Sequence, residues 1–424
     1  MRVSKRSPKP VFQQLVRDRA VMRFQQARET VIEQMRRHVS TAGHAPAAEE
    51  VGLLKSRGRV LAEAIRADRD FPPFARATRD GYAVLSADLD QEKTRLQCKG
   101  MVQAGSEFSG TVGPGECVEI MTGASVPEGA DAVVMVEYTT ARDGWIEVQR
   151  RVGHGENLVP RGSEARQGEQ LLDAGRRIGY GEIAMMAAVG KQEVRVYRQP
   201  RVGILPTGDE VVEVDAMPGP SQIRNSNSYS LQAQVSSAGG VAVALGIAPD
   251  REDRMREMIA KGLQADLLLL SGGVSMGKFD LVEKVLAGLD AEFFFDSVAI
   301  QPGKPLVFGR AQDTFFFGLP GNPLSTMVTF ELFARPALAL LSGENSAPLI
   351  WLRAKLGKQV RRKAGLTAFL PALLEGSYEE AVVQPVEWKG SGDIASLNRA
   401  NCYLVLPEEV EQVAAGEWVS VLPR

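Results

Sequence analysis

The residues best suited to chemistry follow one apolar run in the second half of the chain. Leu267 to Leu270 are consecutive leucines, a pattern typical of a strand buried on both faces. A glycine-rich turn follows directly, and a helix is predicted from Asp280. Glycines let backbone N–H groups approach an oxyanion, and a helix N-terminus adds positive potential. The stretch therefore predicts an anion site; tight helix–sheet packing is the other explanation for its glycines.

Polar side chains extend this prediction. Lys278 supplies a mobile cation, and Asp280 adds a carboxylate, which beside an anion usually implies a bridging metal ion. The binding residues expected in this stretch are Ser271, Gly272, Gly273, Ser275, Gly277 and Lys278.

Composition excludes several classes of protein. The chain has 424 residues, 44% of them hydrophobic, and its 50 basic and 52 acidic residues nearly cancel. Such a balance gives no overall attraction to nucleic acid or to a membrane. No apolar run reaches the roughly 20 residues of a membrane span, and the basic start of the chain lacks the apolar core of a secretion signal. We expect a globular cytoplasmic protein.

Cysteine and histidine are too scattered to build a site. Cys98, Cys117 and Cys402 are predicted to be buried free thiols in a reducing compartment. The 3 histidines are equally dispersed, so neither a histidine metal site nor a Ser-His-Asp triad is expected. Catalysis must then rest on carboxylates, lysine, serine and backbone dipoles.

From about Gly179, helical patterns alternate with strand patterns, which predicts a doubly wound, mostly parallel sheet. Ligands of such sheets bind beyond the carboxyl ends of the strands. Three polar loops rich in glycine or proline are expected at that edge: 207–210, 271–277 and 320–325. Their meeting there indicates a binding site more strongly than any one of them.

The regions on either side are β-rich. Asp80 precedes Gly81 at a turn before a strand, where it either caps the turn or carries a function. Thr122 and Gly123 offer a hydroxyl and close backbone approach, whereas Asp131 and Glu137 are candidate acids or plain strand-end charges. Beyond residue 350 a small barrel or sandwich is predicted, and its loop 389–396 either touches a ligand or simply connects two strands.

These patterns predict a multi-domain α/β protein with four segments. Residues 1–57 are an N-terminal helical segment and linker, with an amphipathic helix from Phe12 to Val39 that is solvated or docks a partner. Residues 58–178 are β-rich, residues 179–343 form the α/β domain, and residues 344–424 form a C-terminal β-barrel domain.

Taken together, the polar blocks resemble the MoeA family, the molybdopterin molybdenumtransferases, which are homologous to the C-terminal domain of gephyrin. The match keeps the family's order from about Gly58 to the C-terminus. The residues that carry it are Phe71-Pro-Pro-Phe, Asp80-Gly-Tyr-Ala, Met121-Thr-Gly-Ala, Gly129-Ala-Asp-Ala-Val, Asn157, Pro206-Thr-Gly-Asp-Glu, Ser271-Gly-Gly-Val-Ser-Met-Gly with Asp280, Pro302-Gly-Lys-Pro, Gly318-Leu-Pro-Gly-Asn-Pro-Leu-Ser, Ser391-Gly and Ala400-Asn401.

The resemblance implies an α/β domain like that of MogA and MoaB, and an enzyme that takes molybdate and adenylylated molybdopterin, releases AMP and leaves molybdenum on the dithiolene. It implies support by Mg²⁺, an elongated homodimer with the site in a cleft involving both subunits, and contact with other proteins of molybdenum cofactor biosynthesis. Neither nucleic acid nor a membrane is expected as a partner.

The resemblance also assigns residues. The catalytic carboxylates are Asp80, Glu210, Asp250 and Asp280, and the metal ligands are Glu210, Asp280 and Glu164. The substrate-binding residues outside the 271–278 stretch are Thr122, Gly123, Thr207, Gly208, Asp209, Lys304, Pro320, Gly321, Asn322, Pro323, Ser325 and Ser391.

Four positions depart from the family pattern. Glu164 stands where an Asp is functional, and Ala75 where an Asp is frequent. Gln301 and Pro371 replace a frequent Lys and an Arg that would serve the anionic ligand. These two lost cations motivate one alternative, a molybdopterin-binding scaffold of reduced activity. The other is a MogA-like molybdopterin adenylyltransferase, although the stand-alone adenylyltransferases lack the β-rich additions.

Overall fold

The computed structural model describes residues 21–89, 94–273, 281–345 and 348–424. The chain divides into two compact units. The larger unit contains the described residues up to Glu49, Gly58–Val60 and Val196–Arg424. The smaller, β-rich unit contains Glu50–Arg57 and Leu61–Arg195. This division by contacts differs from the predicted four segments because the first and the last two of those segments contribute to one unit.

Most helices lie where helical patterns were predicted, but the first described helix begins at Phe24 and not at Phe12, and a short helix at Ile394–Asn398 overlaps the predicted loop 389–396. The helices are α1 (Phe24–Val39), α2 (Tyr180–Ala188), α3 (Ser226–Ser237), α4 (Glu252–Gly262), α5 (Leu281–Ala287), α6 (Pro323–Thr329), α7 (Arg335–Leu341) and α8 (Ile394–Asn398). A π-helical turn at Phe330–Ala334 joins α6 to α7. Of the described helices, the joined run Pro323–Leu341 alone is long and apolar enough to cross a membrane, but 78% of it is buried inside the fold. A core helix explains that composition.

The strands up to Tyr197 are β1 (Ala48–Gly52), β2 (Ile65–Arg66), β3 (Arg76–Ala77), β4 (Gly81–Val84), β5 (Thr94–Val102), β6 (Glu116–Ile120), β7 (Ala132–Met135), β8 (Thr139–Arg142), β9 (Trp145–Val148), β10 (Leu158–Val159), β11 (Gln170–Leu172) and β12 (Glu193–Tyr197). Ten strands of the smaller unit, β2 to β11, follow β1 and precede β12 in the sequence. A mixed sheet has the order β7-β4-β6-β5-β9-β8. β4 is antiparallel to β6, with Gly81 opposite Ile120. This pairing brings Asp80, before β4, close to Thr122, after β6.

The larger unit is built around a sheet of mostly parallel strands. The strands of this region are β13 (Arg201–Pro206), β14 (Val211–Val212), β15 (Ile223–Arg224), β16 (Val241–Ala244), β17 (Leu267–Ser271), β18 (Glu292–Phe295), β19 (Ile300–Gln301), β20 (Val307–Ala311) and β21 (Thr314–Leu319). The six-stranded sheet has the order β16-β13-β17-β21-β20-β18. β16, β13, β17 and β21 run parallel, and β20 runs antiparallel to β21. The sequence analysis did not predict β20.

Strand β17 is buried on both faces, as its four leucines predict. Leu267 and Leu269 belong to the hydrophobic core that contains residues of α3, whereas Leu268 and Leu270 belong to a second core with α4 and α5. All four side chains are fully buried. The prediction of a doubly wound sheet is therefore confirmed. Residues of α1 also pack into the first core, so the described part of the N-terminal helix is structural.

The C-terminal region forms a closed barrel. Its strands are β22 (Leu352–Leu356), β23 (Val360–Arg361), β24 (Thr367–Gly376), β25 (Ala381–Pro385), β26 (Cys402–Leu406), β27 (Gln412–Val413) and β28 (Trp418–Pro423). The order β24-β25-β22-β28-β26 closes through pairing of β24 with β26, which confirms the predicted barrel. β19 pairs with β24, and Phe369, Tyr403 and Leu422 belong to the first core of the α/β sheet. The barrel and the α/β sheet thus share one core.

Candidate active site

The three predicted loops of the α/β sheet meet at the carboxyl ends of β13, β17 and β21. The Thr207 N–H donates a hydrogen bond to the Ser271 carbonyl at 2.9 Å. The Gly272 N–H donates to the Leu319 carbonyl at 3.2 Å. Hydrogen bonds therefore join the end of β17 to the ends of β13 and β21. The three loops leave the sheet next to one another.

A cavity opens at this edge, between the loops and the start of α3. Its lining residues come from β13 and the loop after it, from the start of α3, and from the ends of β17 and β21. They are Pro206, Thr207, Glu210, Val211, Ile223, Arg224, Asn225, Ser226, Asn227, Ser271, Gly272, Gly321 and Pro323. The site predicted beyond the carboxyl ends of the strands thus coincides with a concave surface that has many polar groups.

Two successive glycines follow β17, and the first of them lines the cavity. Gly272 and Gly273 have φ angles of +93° and +65°. A Cβ at Gly272 would lie 2.8 Å from the Thr207 carbonyl oxygen, which belongs to the backbone and cannot move aside. A Cβ at Gly273 would lie 2.8 Å from Oγ1 of Thr207. Only glycine fits this close approach of two strand ends.

Two buried polar atoms at the cavity have no hydrogen-bond partner among the described residues. The Asn227 amide nitrogen donates to the Ser271 hydroxyl at 2.9 Å and to the Gly321 carbonyl at 2.8 Å. These bonds fix the orientation of the amide, and Oδ1 of Asn227 then finds no partner among the described residues. Oγ1 of Thr207 is also unpaired within the described chain, although the residue is only 2% exposed. Buried polar atoms are normally satisfied, so a ligand or water is expected here.

Two helix N-termini point toward the same loops. α3 begins at Ser226, and its N-cap Asn225 accepts a hydrogen bond from the Ser228 N–H at 3.1 Å. α6 begins at Pro323, directly after Gly321 and Asn322. The dipole of each helix favours a negative charge at its N-terminus. The cavity is suited to an oxyanion.

Carboxylates lie on the β13 side of the site. Oδ1 of Asp209 accepts a hydrogen bond from the Asp250 N–H at 3.0 Å, so these two loops are joined. The Glu210 carboxylate folds over Gly208, where a Cβ would lie 2.3 Å from Oε2. Asp209, Glu210 and Asp250 are all exposed. Within the residues that the structure describes, no three His, Cys, Asp or Glu side chains are grouped closely enough to hold a metal ion.

In the smaller unit, Asp80 is held by Thr122. The Thr122 N–H and hydroxyl both donate to Oδ1 of Asp80, at 2.6 and 2.7 Å. The backbone bond first, and the hydroxyl bond second, lower the pKa of Asp80 below its ordinary value. Asp80 is therefore an oriented, ionised carboxylate with Oδ2 directed elsewhere. Asp80 and Thr122, which the sequence analysis names separately, are thus hydrogen-bonded to each other.

The other acids of this unit have local partners. Oε1 of Glu164 pairs with the Arg76 guanidinium at 2.9 Å, which leaves its assignment as a metal ligand a prediction. Asp131 accepts hydrogen bonds from the N–H and hydroxyl of Ser86 at 2.6 and 2.9 Å. Asp131 therefore has a local structural contact, and its role as an acid stays a prediction.

The barrel loop 389–396 touches the third loop of the site. The Asn322 amide donates to the Ser391 hydroxyl at 2.8 Å, and the Leu324 N–H donates to the Ser391 carbonyl at 3.0 Å. These contacts join the barrel loop to the site loop, and its contact with a ligand stays a prediction. Neither Ser391 nor Asn322 lines the cavity, although Gly321 and Pro323 on either side of Asn322 do.

Other predicted residues lie apart from the cavity lining. Lys304 borders a second hollow with Arg23, Gly365 and Glu408. Ser325 is 3% exposed in the first turn of α6, and the Pro320 carbonyl accepts a hydrogen bond from the Thr326 hydroxyl at 2.5 Å. The predictions for Ser275, Gly277, Lys278 and Asp280 lie outside the described residues.

Sequence reasoning missed Arg224, Ser226 and Asn227, which line the cavity. One signal was available, since Asn225-Ser226-Asn227 is a polar run that opens a helix, where such residues cap the N-terminus. The contacts of Asn227 with Ser271 and Gly321 had no local signal.

Three family models match the chain in succession. They are the MoeA N-terminal region (domain I and II) over residues 22–190, a probable molybdopterin binding domain over residues 203–340, and the MoeA C-terminal region (domain IV) over residues 353–423. The cavity described above lies in the second of these matches.

Whole relatives are similar along nearly their full length. A molybdopterin molybdenumtransferase of Bacillus subtilis is 34% identical, with 99% of this chain and 95% of the relative covered. One of Haemophilus influenzae is also 34% identical, with 95% and 98% covered. Among solved structures, a molybdopterin biosynthesis MoeA protein from Pyrococcus horikoshii OT3 has a TM-score of 0.79 and 28% identity, over 96% of this chain and 100% of that chain.

Proposed function

Because this chain belongs to the MoeA family, the molybdopterin molybdenumtransferases, we propose that it transfers molybdenum from molybdate to adenylylated molybdopterin and releases AMP. The observation that carries the proposal is the cavity at the ends of β13, β17 and β21, with its Asn227 and Thr207 oxygens, which have no partner in the part of the chain that the structure describes. Molybdate is an oxyanion, and adenylylated molybdopterin carries phosphate oxyanions. The cavity offers a hydroxyl donor and the positive end of a helix dipole, which both favour an oxyanion.

The binding step rests on the backbone and on neutral side chains. The two glycines after β17 allow a close approach to the backbone, and the start of α3 adds the positive end of its dipole. The Thr207 hydroxyl can donate to an anionic oxygen, while Oδ1 of Asn227 accepts only and selects an N–H or O–H group. A ligand with both an oxyanion and a heterocyclic N–H, such as an adenylylated pterin, satisfies both atoms.

The carboxylates beside the cavity fit a hard cation. Glu210 and Asp250 supply oxygen donors, the type that Mg²⁺ prefers, and Asp280 is the third expected donor. When bound, Mg²⁺ would neutralise charge on the pyrophosphate that is cleaved. In the smaller unit, we propose that Asp80 acts as an ionised carboxylate held in one orientation by Thr122.

We also propose the quaternary and cellular setting that the family implies. The protein is expected to be a homodimer, to work in the cytoplasm, and to contact other proteins of molybdenum cofactor biosynthesis. Multi-angle light scattering tests the first point: a mass near twice the 45.9 kDa of one chain supports the dimer, and a mass near that of one chain contradicts it.

AMP release from adenylylated molybdopterin tests the reaction. It is measured with Mg²⁺ and with excess chelator, each with and without molybdate. Release that requires both molybdate and Mg²⁺ is the expected result.

Other results identify the alternatives. Tight binding without turnover would overturn the transferase in favour of a molybdopterin-binding scaffold and would draw attention to Gln301 and Pro371. Formation of adenylylated molybdopterin from ATP and molybdopterin would instead support an adenylyltransferase.

A further inference from the structure

Two cysteines of the smaller unit lie side by side on neighbouring strands. Cys98 on β5 and Cys117 on β6 are register partners in a parallel pair. Both belong to the hydrophobic cluster that contains Tyr82 and Leu96, so their side chains share one face of the sheet. Both are free thiols.

This arrangement suits a disulfide bond. Neighbouring strands lie about 4.8 Å apart, within the Cα–Cα range of about 4.4–6.8 Å that disulfides require. The ladder is also irregular directly after Cys98, where the register shifts before Met101. A bulge gives the strand local freedom to bring the two sulfur atoms together.

The two thiols differ in access. Cys98 is partly exposed, and its thiol donates a hydrogen bond to the Gly100 carbonyl at 3.4 Å. Cys117 is fully buried, and burial raises the pKa of its thiol to about 12. A small oxidant can therefore reach Cys98 but not Cys117, and the Cys117 thiol stays protonated beside it.

We propose that Cys98 and Cys117 are a reversible thiol–disulfide site that reacts with hydroperoxides. The Cys98 thiolate attacks one oxygen of hydrogen peroxide; an S–O bond forms, the O–O bond breaks, and the hydroxide released takes a proton to become water. The Cys117 sulfur then attacks the Cys98 sulfenic acid. The S–S bond forms, the S–O bond breaks, and the hydroxyl leaves with the Cys117 proton as a second water. Two thiols are oxidised and one peroxide is reduced.

The disulfide bond would fix β6, the strand that leads to Thr122, the partner of Asp80. β6 begins next to Cys117 and ends at Ile120, two positions before Thr122, whose N–H and hydroxyl hold Asp80. Linking β5 to β6 closes the loop between residues 98 and 117, which restricts the unfolded chain and stabilises the folded one. The site depends only on the geometry of the smaller unit and is independent of the proposed transferase reaction.

The test treats the full-length native protein with hydrogen peroxide, blocks free thiols with an alkylating agent, and maps the peptides by mass spectrometry. We expect a cross-linked pair of peptides containing Cys98 and Cys117, an unmodified Cys402 that is alkylated only after unfolding, and full recovery of free thiols with dithiothreitol. The oxidised protein should also melt at a higher temperature than the reduced protein.

Variants separate the two steps. In Cys117→Val the first step remains, so dimedone should label Cys98 as a sulfenic acid, whereas in Cys98→Ser neither label nor cross-link should form. Cys402→Ser is the matched control and should behave as the wild type. The proposal is overturned if the native protein resists peroxide, if Cys98 is oxidised to sulfinic acid without a cross-link, or if Cys98 links only to a second chain.

Discussion

The side-chain amide of Asn227 donates a hydrogen bond to the Ser271 hydroxyl at 2.9 Å, and so joins the first turn of α3 to the end of β17. The same nitrogen donates to the Gly321 carbonyl, which follows β21. One side chain therefore holds together three elements that border the cavity. Its remaining oxygen faces the cavity lining with no partner among the described residues.

Replacing Asn227 with Ala should lower kcat/KM for molybdate-dependent AMP release by roughly 10- to 30-fold, because two neutral hydrogen bonds of about 1 kcal/mol each are lost. Steady-state kinetics measures this. Tyr229→Ala is the matched control, since Tyr229 lies on the same helix, is 50% exposed and is not part of the cavity lining. Equal kinetics in the two variants would show that Asn227 does not organise the site.

Thr122→Val should raise the pKa of the Asp80 carboxyl toward its ordinary value of 3.8, because the hydroxyl donor is lost while the backbone donor remains. Because the pKa of Asp80 is lower in the folded protein, this contact stabilises the fold above pH 3.8. The stabilisation is lost as the pH falls through the folded-state pKa. Carboxyl carbon NMR titration measures it. Thr122→Ser keeps a hydroxyl and should keep the low pKa; an unchanged value in Thr122→Val would contradict the assignment.

Gly81→Ala should destabilise the smaller unit by about 3 kcal/mol or more. A Cβ at Gly81 would lie 1.9 Å from the Val134 carbonyl oxygen, so β4 and β7 would have to separate. Urea denaturation measures the loss. Gly52→Ala is the control, since Gly52 has a φ of −60° and its added Cβ meets no described atom within 4 Å. Similar unfolding midpoints for the two variants would refute the steric argument.

Folding stability of the larger unit should fall as the pH drops below about 6.5. Burial first, then the neighbouring His44 and Arg310, lower the pKa of His38 from 6.5, while Asp313 opposes this. The unfolded chain therefore takes up a proton before the folded protein does, and acid favours unfolding. Urea midpoints at about pH 7.5 and about pH 5.5 test the effect. His38→Gln should show a smaller difference between them; an identical difference would assign the effect to other groups.

The parts of the fold that the sequence predicts are those with a local pattern. The four leucines of β17 alternate between two cores, as a run of apolar residues between helices implies. Because the neighbouring strands are parallel, their following loops had to meet at one edge, and Thr207 and Ser271 do so.

The parts that the sequence did not predict depend on contacts between distant residues. Asn227 is important because it reaches Ser271 and Gly321, which are 44 and 94 positions away. The Asp80 contact with Thr122 spans 42 positions and exists because β4 is antiparallel to β6. The metal ligands stay a prediction, since Asp280 lies outside the described residues and Glu164 is paired with Arg76.

The central claim is that molybdenum transfer takes place at the cavity beside Glu210. A single-turnover reaction that counts both AMP and molybdenum bound to molybdopterin tests it most directly, in the wild type, in Glu210→Gln and in Glu213→Gln. Glu213 is the control because it is an exposed acid outside the cavity lining. We predict equal amounts of AMP and molybdenum-bound product in the wild type and in Glu213→Gln, and neither product in Glu210→Gln. AMP release without molybdenum transfer, or full turnover in Glu210→Gln, would contradict the account.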